Sequence, residues 1–415
     1  MKVLLSAYSC EPNRGSEPEV GWQRALHMRA YADEVWVITR ANNREAIEAE
    51  SASRASGLHF IYYDLPQWVS KLKKQTWFLP IYFVLWQWGA YRTAKKSHRE
   101  NHFDCVYHVT FATMLYGSFM GRLGIPFIIG PIGGGERAPF RLRRSMPILD
   151  KLKELLRDIG IALQRYSPLS NMAFGAAERI YVVTPDSLRL LRTKWHGKAE
   201  VQINVATRSQ AIEQHERPAL ASPRFVFTGR MLHWKGAHLA IRALGEARKI
   251  IPAATLTLIG RGPDALWLSR LAAQCGVTDA VEFIDQLPLR QFSASLSGYS
   301  SMVFPSLHDS GGLVVLEAFS RGLPVICLDL GGPGTLVNES CGIVVSTKGM
   351  DEDQTVNGLA QAMIVLGTMP AQELARLSKG AIARANELSW AELTRRVATD
   401  RYSNQSVTGS AGVVS

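Results

Sequence analysis

Three features are scarce in this sequence of 415 residues, and each absence excludes a class of protein. There are five cysteines, widely spaced and without a C-x-x-C pair, so we expect reduced core residues in a cytoplasmic protein and neither a disulfide framework nor a metal site. The longest apolar stretch, residues 77–88, is shorter than the roughly 18–20 residues that a membrane-spanning helix needs. The first predicted strand leads into SCEPNRGSEPEVGW and not into G-x-G-x-x-G, which disfavours a nicotinamide cofactor.

Acidic residues are in short supply as well, but only in the first half of the chain. The sequence has 47 Lys and Arg against 36 Asp and Glu, a net charge of +11. Residues 1–205 hold 28 basic and 18 acidic residues, whereas residues 206–415 hold 19 and 18. Residues 71–99 have seven basic residues and no acidic one, and residues 137–165 have eight against three. Such a surplus usually indicates an anionic partner: nucleic acid, a membrane surface or a phosphorylated small molecule.

Short β-branched or aromatic runs alternate with helical stretches along the chain, which predicts βαβ units around parallel sheets. The polar, proline-containing segment 206–223 interrupts the alternation and is interpreted as a linker. We therefore predict an α/β protein with two doubly wound, Rossmann-like domains, 1–205 and 224–385, and a ligand between the carboxyl ends of the two sheets. A helix, 386–402, and a disordered tail, 403–415, follow. The predicted strands are 2–8, 34–39, 58–62, 104–109, 125–130, 179–183, 200–204, 224–229, 254–260, 280–284, 300–304, 323–328 and 342–345.

The loop after the first strand of the second domain carries two cations. The sequence GRMLHWKG places Arg230 and Lys235 at the carboxyl end of strand 224–229, where a helix begins. Two cations on a short glycine-containing loop suit a diphosphate, and a solvated pair of surface charges is the alternative. Strand 254–260 ends in LIGRGPD, so Gly262 lies on a second glycine-rich loop at the same edge of the sheet.

The stretch FPSLHDSGGLVVLEAFSRGLPVI combines a strand end, a glycine turn, a helix and the next strand. Asp309 precedes the helix, so its carboxylate can face the ligand site. Glu317 lies inside the helix among apolar neighbours, and a carboxylate in such surroundings usually accepts hydrogen bonds from hydroxyl groups. A glutamate on a solvated helix face is the alternative. The amides at the start of the helix favour an anion. They belong to Ser310, Gly311, Gly312 and Leu313.

These motifs carry a resemblance to a known family. GRMLHWKG is similar to the G-R-x-x-x-x-K-G of the glycosyl transferases group 1, which are retaining enzymes with the GT-B fold. HDSGGLVVLEAFSRGLPVI resembles that family's E-x7-E motif and its continuation EA-x-x-x-G-x-PV. LIGRGP and the LSW near Trp390 also fit, so the resemblance covers most of residues 224–400. It implies two Rossmann-like domains facing across a cleft, with the C-terminal helix returning to the N-terminal domain.

The resemblance also implies a role for each matching residue. Arg230 and Lys235 would hold the donor diphosphate and stabilise it as it leaves, and Glu317 would bind the ribose hydroxyls. The amides of residues 310–313 would hold the sugar and the phosphate. Asp309 takes the position of the first family glutamate, beside the reacting sugar, with a side chain one methylene shorter. The family needs no metal and no other cofactor, and the donor substrate would be a nucleotide sugar of the UDP or GDP type.

Candidates in the first domain match the family more loosely. Gly15 lies in the loop before the first helix, where amides favour an anion, and a plain turn glycine is the alternative. By resemblance, Gly15 would lie near the phosphates and the acceptor. His108, at the end of strand 104–109, would be the histidine that the family places near the donor sugar, and a core histidine is the alternative. Glu136, in the glycine-rich GPIGGGE, could contact an acceptor hydroxyl.

The two basic segments suggest a site of action. Residues 68–92 combine aromatic side chains with flanking cations, and residues 137–165 have leucines and isoleucines at helical spacing among Lys and Arg. Both patterns favour helices lying in an anionic membrane interface, and helices packed on the sheet are the alternative. Membrane docking suggests a lipid-linked acceptor, such as a polyprenyl-diphosphate-linked saccharide. No recognised nucleic-acid motif accompanies the charge, so no nucleic-acid partner is expected.

The leading hypothesis is a retaining, metal-independent glycosyltransferase at the inner face of the cytoplasmic membrane, in bacterial exopolysaccharide, capsule or O-antigen assembly. One alternative is a GT-B-like nucleotide-sugar 2-epimerase, which would not explain both motifs of the second domain. The other is a catalytically inactive, membrane-associated partner subunit, and the replacement of the family glutamate by Asp309 is its only support.

Overall fold

The structure is a computed structural model. It describes residues 1–14, 16–54, 57–72, 78–207, 222–285, 287, 291–292 and 295–408. The chain divides into two compact units. The first contains Met1–Gly135, Gly160–Val205 and the residues from Trp390 onward, and the second contains Glu136–Ile159 and Ala206–Ser389. Among the described residues, no helix has both the length and the apolar character needed to cross a bilayer.

A parallel sheet of seven strands forms the centre of the first unit. Its strands are β1 (Lys2–Ala7), β2 (Glu34–Arg40), β3 (Leu58–Tyr63), β4 (Cys105–Thr110), β5 (Phe127–Ile132), β6 (Arg179–Val182) and β7 (Ala199–Val201). The strand order is β3-β2-β1-β4-β5-β6-β7, and all neighbouring strands are parallel. Every residue of β4 and β5 is buried, because both faces of the sheet are covered.

The second unit repeats this design with six strands. They are β8 (Arg224–Thr228), β9 (Thr255–Ile259), β10 (Val281–Ile284), β11 (Ser301–Phe304), β12 (Val325–Leu328) and β13 (Gly342–Val345). The order is β10-β9-β8-β11-β12-β13, again parallel throughout. In both sheets the first strand lies in the middle, which confirms the predicted pair of doubly wound domains.

Helices connect the strands of both sheets. Those of the first-half sequence are α1 (Ser16–Met28), α2 (Arg44–Arg54), α3 (Gln67–Leu72), α4 (Leu79–Asn101), α5 (Ile148–Gln164), α6 (Pro168–Ala176) and α7 (Pro185–Leu190). The others are α8 (Ala237–Ala247), α9 (Ala265–Gln274), α10 (Leu313–Ser320), α11 (Gly331–Leu336), α12 (Glu352–Thr368), α13 (Ala371–Glu387) and α14 (Trp390–Thr408).

The C-terminal helix α14 returns to the first unit, as expected. The buried Arg24 of α1 anchors it: its guanidinium lies 5.6 Å from the centre of the Trp390 ring. Arg24 also donates a hydrogen bond to Gln202 (3.3 Å), whose amide donates to the carbonyl of Leu393 (3.1 Å). The helix extends to Thr408, six residues past its predicted end. Residues 208–221 of the predicted linker and 409–415 of the predicted tail lie outside the described residues.

One segment of the first-half sequence, residues 136–159, packs within the second unit. Arg141 donates to the carbonyl of Gly349 (2.8 Å), and Arg144 forms an ion pair with Asp353 (2.9 Å). Nearby, the amide of Ser145 donates to the carboxylate of Glu352 (3.0 Å). The observed division therefore differs from the predicted domains at this segment, since 1–205 was expected to be one domain.

The basic, aromatic segment around α4 packs on the first sheet. Phe83 and Trp86 are buried in the core of the first unit, whereas Trp68 and Trp88 remain exposed. Residues 73–77 of this segment lie outside the described residues. Most of the aromatic side chains that the structure describes in this segment thus belong to the core. This favours the alternative that the segment packs on the sheet over the prediction that it lies in a membrane interface.

Helix α5 faces the opposite way from an ordinary surface helix. Its polar side is turned inward: Glu154 is buried, and Asp158 forms an ion pair with the buried Arg143 (2.6 Å). Its apolar side is exposed, and Leu156 retains 60% of its accessible surface. The other exposed apolar residues of this helix are Ile148, Leu149, Leu152, Leu155, Ile159 and Leu163. The boundary between the two units falls within α5, after Ile159.

Candidate functional site

The predicted cations lie on the loop after the central strand of the second sheet. Arg230 follows β8 and is exposed, and no other described residue forms an ion pair with it. A short 3-10 turn, His233–Lys235, then leads into α8. Gly236 has a φ of +82°, and a Cβ there would collide with the carbonyl oxygen of Pro305. Glycine is required here because the turn must pass close to the backbone after β11.

The structure brings Lys235 and Asp309 together. The amino group of Lys235 forms an ion pair with Asp309 Oδ2, and the Asp309 Oδ1 accepts a hydrogen bond from the Gly311 amide (3.2 Å). The Lys235 amino group also lies 4.4 Å from the centre of the Trp234 ring. Both oxygens of Asp309 are therefore engaged, and the lysine is held by a carboxylate and an aromatic face.

Helix α10 begins directly after this ion pair. Gly312 is its N-cap, with a φ of +73°, and no described side chain caps the helix. The Gly332 amide of α11 donates to the Asp309 carbonyl (2.7 Å), which fixes the approach of the loop. Ser310, Gly311 and Leu313 complete the predicted set of helix-start residues. The uncapped start of α10 thus lies beside Lys235, as an anion site requires.

Glu317 lies one turn into α10 and is mostly buried. No described residue donates a hydrogen bond or a charge to its carboxylate, and burial raises the pKa of Glu317 to about 7. A carboxyl group that no described side chain engages, on the same helix as the anion site, has its hydrogen-bonding capacity available for a ligand.

The second glycine-rich loop lies against the first. The Met231 amide donates to the Arg261 carbonyl (2.8 Å), and the Asp264 amide donates to the Met231 carbonyl (3.2 Å). A Cβ at Gly262 would collide with the backbone of Met231. Gly262 therefore allows the loops after β8 and β9 to pack together, which is a structural role for this predicted binding residue.

Two aromatic side chains near the ion pair, Trp234 and His308, were not among the predicted site residues. The ring of His308 stacks on Trp234, with 4.5 Å between ring centres and 18° between their planes. The Trp234 carbonyl accepts a hydrogen bond from the Leu307 amide (2.8 Å). His308 directly precedes Asp309, and Trp234 directly precedes Lys235. The sequence signal that could have indicated them is their position directly before the two charged residues, Lys235 and Asp309.

The predicted residues of the first-half sequence fit a binding site less well. His108 has no exposed surface; its Nδ1 lies 3.1 Å from Ser6 Oγ and its Nε2 lies 3.4 Å from Gln87 Nε2. Burial lowers the pKa of His108 to about 3, so the ring is neutral. These surroundings are those of the core-histidine alternative, and the catalytic role of His108 stays a prediction. Glu136 is 1% exposed and not open to an acceptor, and Gly15 lies outside the described residues.

Comparison with known sequences matches the part of the chain that contains these site residues. The family described as "Glycosyl transferases group 1" matches residues 209–365, which contain Arg230, Lys235, Asp309 and Glu317. This part of the chain belongs to the glycosyl transferases group 1 family. His108 and Glu136 lie outside the matched range.

Curated relatives match this chain over a similar region. A glycogen synthase of Mycobacterium tuberculosis is 32% identical over 148 residues, covering 35% of this chain and 34% of the relative. A GDP-mannose-dependent alpha-(1-6)-phosphatidylinositol monomannoside mannosyltransferase of the same species is 32% identical over 150 residues, covering 34% and 38%. The matched part thus spans little more than a third of each relative.

Solved structures match this chain along almost its whole length. The lipopolysaccharide outer core galactosyltransferase WaaB superimposes with a TM-score of 0.59 at 11% identity, covering 97% of this chain and 100% of that one. The Anabaena protein HepE, solved in complex with UDP, superimposes with a TM-score of 0.55 at 16% identity over the same shares. With the two parallel sheets, these matches show the two-domain GT-B fold.

Proposed function

We propose that the protein transfers a sugar from a nucleotide-diphosphate sugar to a saccharide acceptor, with retention of the anomeric configuration. The observation that carries this proposal is the grouping of Lys235, the uncapped start of α10 and the carboxyl of Glu317, which no residue in the described part of the chain engages. The first two suit a diphosphate, and the third suits the hydroxyls of a ribose. The GDP-mannose dependence of one relative and the UDP bound to HepE support donors of these two types.

The proposed chemistry depends on charge that develops as the donor breaks. The bond from the anomeric carbon to the diphosphate oxygen cleaves, the electron pair stays with the diphosphate, and the carbon becomes oxocarbenium-like. Arg230, Lys235 and the α10 amides stabilise the departing charge. The acceptor hydroxyl oxygen then bonds to the anomeric carbon on the face that the diphosphate leaves, which gives retention, and its O–H bond breaks as the proton passes to the departing diphosphate oxygen. Because both Asp309 oxygens are engaged, we assign this residue the task of holding Lys235 in place.

These cations take the place that a divalent ion has in other sugar transferases, so we propose that no metal or other cofactor is needed. Among the described residues, no group of three or more His, Cys, Asp or Glu is placed to hold a metal ion. Transfer that continues undiminished in excess EDTA is expected, and strict dependence on added Mg²⁺ or Mn²⁺ would contradict this part of the proposal.

The decisive experiment measures transfer from labelled UDP-, GDP- and ADP-sugars by wild type, Arg230→Ala and Lys235→Ala. Each substitution should lower turnover by about 100-fold, the usual effect of losing one charge-stabilising donor. Arg248→Ala is the matched control, because Arg248 pairs with Asp279 on the surface of the same unit. Wild-type turnover in both variants would refute the assignment. Analysis of the product tests the epimerase alternative, because a transferase forms a new glycoside and an epimerase releases a free epimerised nucleotide sugar. If the wild-type protein neither transfers nor hydrolyses any donor, the alternative of a catalytically inactive subunit is favoured.

We further propose a lipid-linked acceptor, such as a polyprenyl-diphosphate saccharide of bacterial exopolysaccharide, capsule or O-antigen assembly, reached at an anionic membrane surface. The exposed apolar side of α5 supports this proposal. All three acidic residues of the helix pair with basic or histidine side chains, at Asp150, Glu154 and Asp158. Residues 137–165 carry eight Lys and Arg, more than these three acidic residues and the Asp353 partner of Arg144 neutralise, which suits anionic headgroups around an inserted apolar stripe. The protein would then be cytoplasmic and peripheral at the inner face of the membrane.

Vesicle flotation tests this surface. Wild type should float with vesicles containing anionic lipid at low salt, and less with neutral ones. The double substitution Leu152→Ser and Leu156→Ser should weaken binding at least ten-fold, because inserting one leucine is worth about 1.5 kcal/mol or more. Leu266→Ser is the matched control, since Leu266 is equally exposed on α9 (65%). Absence of wild-type binding at low salt would remove the membrane proposal and leave the transferase proposal intact.

A further inference from the structure

The inward side of α5 contacts the loop that carries Asp309. Glu154 Oε1 lies 3.0 Å from His308 Nε2, and the two side chains are only 10% and 8% exposed. The contact lies within the second unit, although Glu154 comes from the first-half sequence. A carboxylate accepts hydrogen bonds and does not donate them, so the Nε2 of His308 carries the proton in this pair.

Burying this carboxylate is costly unless it is paired. Burial by itself raises the pKa of Glu154, but the hydrogen bond from His308 and the charges of Arg157 and Arg143 outweigh it, and the pKa lies below its ordinary value. Glu154 Oε2 has no hydrogen-bond partner among the described residues. The contact with His308 is therefore the main directional interaction of Glu154.

His308 connects Glu154 to the ion pair through rigid neighbours. Its ring stacks on Trp234, and Trp234 and His308 each directly precede one member of the Lys235–Asp309 pair. A rotation of the His308 ring would break the stack on Trp234, the neighbour of Lys235. The imidazole is held between a carboxylate on one edge and an indole on its face, which fixes its orientation.

We propose that Glu154 is a positioning residue for the donor loop, residues 305–312, which carries His308 and Asp309. By fixing the His308 ring, Glu154 holds Trp234 and the Lys235–Asp309 pair in the arrangement that binds the donor diphosphate. This inference rests on the proposed function and adds to it a residue outside both sequence motifs. Glu154 does not touch the substrate, and it acts only through His308.

The test compares Glu154→Leu, Glu154→Gln and the matched control Asp150→Asn, which alters an exposed ion pair on the same helix. Titration calorimetry with UDP and GDP gives the dissociation constant and the stoichiometry, and transfer assays give kcat and KM. We expect Glu154→Leu to weaken nucleotide binding and to lower kcat by about ten-fold each, at unchanged stoichiometry. Glu154→Gln keeps an acceptor for the His308 N–H and should remain within three-fold of wild type, as should Asp150→Asn.

A double-mutant cycle with His308→Leu shows whether Glu154 acts through His308. If it does, adding His308→Leu to Glu154→Leu changes nucleotide affinity by less than two-fold, whereas independent effects would add. A purely structural role would lower the melting temperature and the stoichiometry but leave the dissociation constant unchanged, and that result would overturn the inference. If Glu154→Leu does not fold, Glu154→Ala replaces it. Wild type that binds no nucleotide would refute the proposed function instead.

Discussion

Replacing Glu317 by glutamine should remove a pH dependence from donor binding. Glu317 is mostly buried and has no partner among the described residues, and its pKa of about 7 means that the carboxyl is partly protonated near neutrality. Only the ionised form has its full capacity to accept hydrogen bonds from two ribose hydroxyls. With this pKa, the ionised fraction rises from about 0.1 at pH 6 to about 0.9 at pH 8. The apparent affinity for the donor should therefore rise about ten-fold, or about 1.3 kcal/mol, over this range.

Titration calorimetry at pH 6, 7 and 8 measures this effect. The ligand is the nucleotide sugar that gives the largest thermal shift among UDP-, GDP- and ADP-sugars, because a diphosphate esterified at both ends does not titrate in this range. The glutamine variant should bind more weakly at pH 8 and show no rise in affinity from pH 6. Equal pH dependence in wild type and Glu317→Gln would refute a ligand-binding carboxylate at this position.

The same pKa has a consequence for stability. A carboxyl group whose pKa is raised on folding favours the folded state at low pH, and this advantage is lost as the pH rises through the folded-state value. From pH 5 to pH 8, ionisation of Glu317 should cost the free protein about 2.5 kcal/mol, whereas the glutamine variant should escape this loss. Urea unfolding of both proteins at the two pH values provides the comparison, and a nucleotide sugar should reduce the difference at pH 8.

Three further substitutions test the framework of the site. Gly236→Ala should lower the free energy of unfolding by at least about 2 kcal/mol in urea titrations, because the φ of Gly236 is +82° and a Cβ would meet the Pro305 carbonyl. Unchanged stability would contradict the requirement for glycine in this turn. Arg242→Ala removes the ion-pair partner of Glu352 (2.7 Å), whose side chain is 2% exposed. Calorimetric unfolding should therefore show a free energy of unfolding lower by about 3 kcal/mol, and Arg242→Lys should restore part of it. His108→Asn should keep transfer within about three-fold of wild type at 25 °C if His108 is a core residue, and a loss of 100-fold in a folded variant would return it to the catalytic candidates.

The fold could be predicted largely from the sequence. The β-branched runs begin within two residues of the observed start of every strand, and the turn glycines separate them from the helices. The pair of Lys235 and Asp309 also follows from the sequence, because the carboxyl ends of adjacent parallel strands β8 and β11 meet at one edge of the sheet. These features are local or follow from topology, so a pattern in the chain is enough to predict them.

The remaining features depend on tertiary contacts that have no periodic signature. The leucine spacing of α5 predicts a helix, but it does not predict that the polar side would face His308 and Arg143 while the leucines remain exposed. His108 lies at the end of a strand, where a site residue and a core residue look alike in sequence. Its ring lies against Gln87 of α4, 21 residues earlier in the chain, and such a tertiary contact has no sequence signature.

The packing of residues 136–159 limits how this protein can be recombined with its relatives. A chimera that exchanges halves at residue 205 would join the α5 of one parent to the donor loop of the other. Glu154 would then face a loop that had not evolved beside it, and Glu352 would lose the Ser145 amide. A crossover that moves residues 136–159 together with the second half keeps both contacts. An exchange of the donor site between relatives would therefore need two separate segments, residues 136–159 and the second half of the chain.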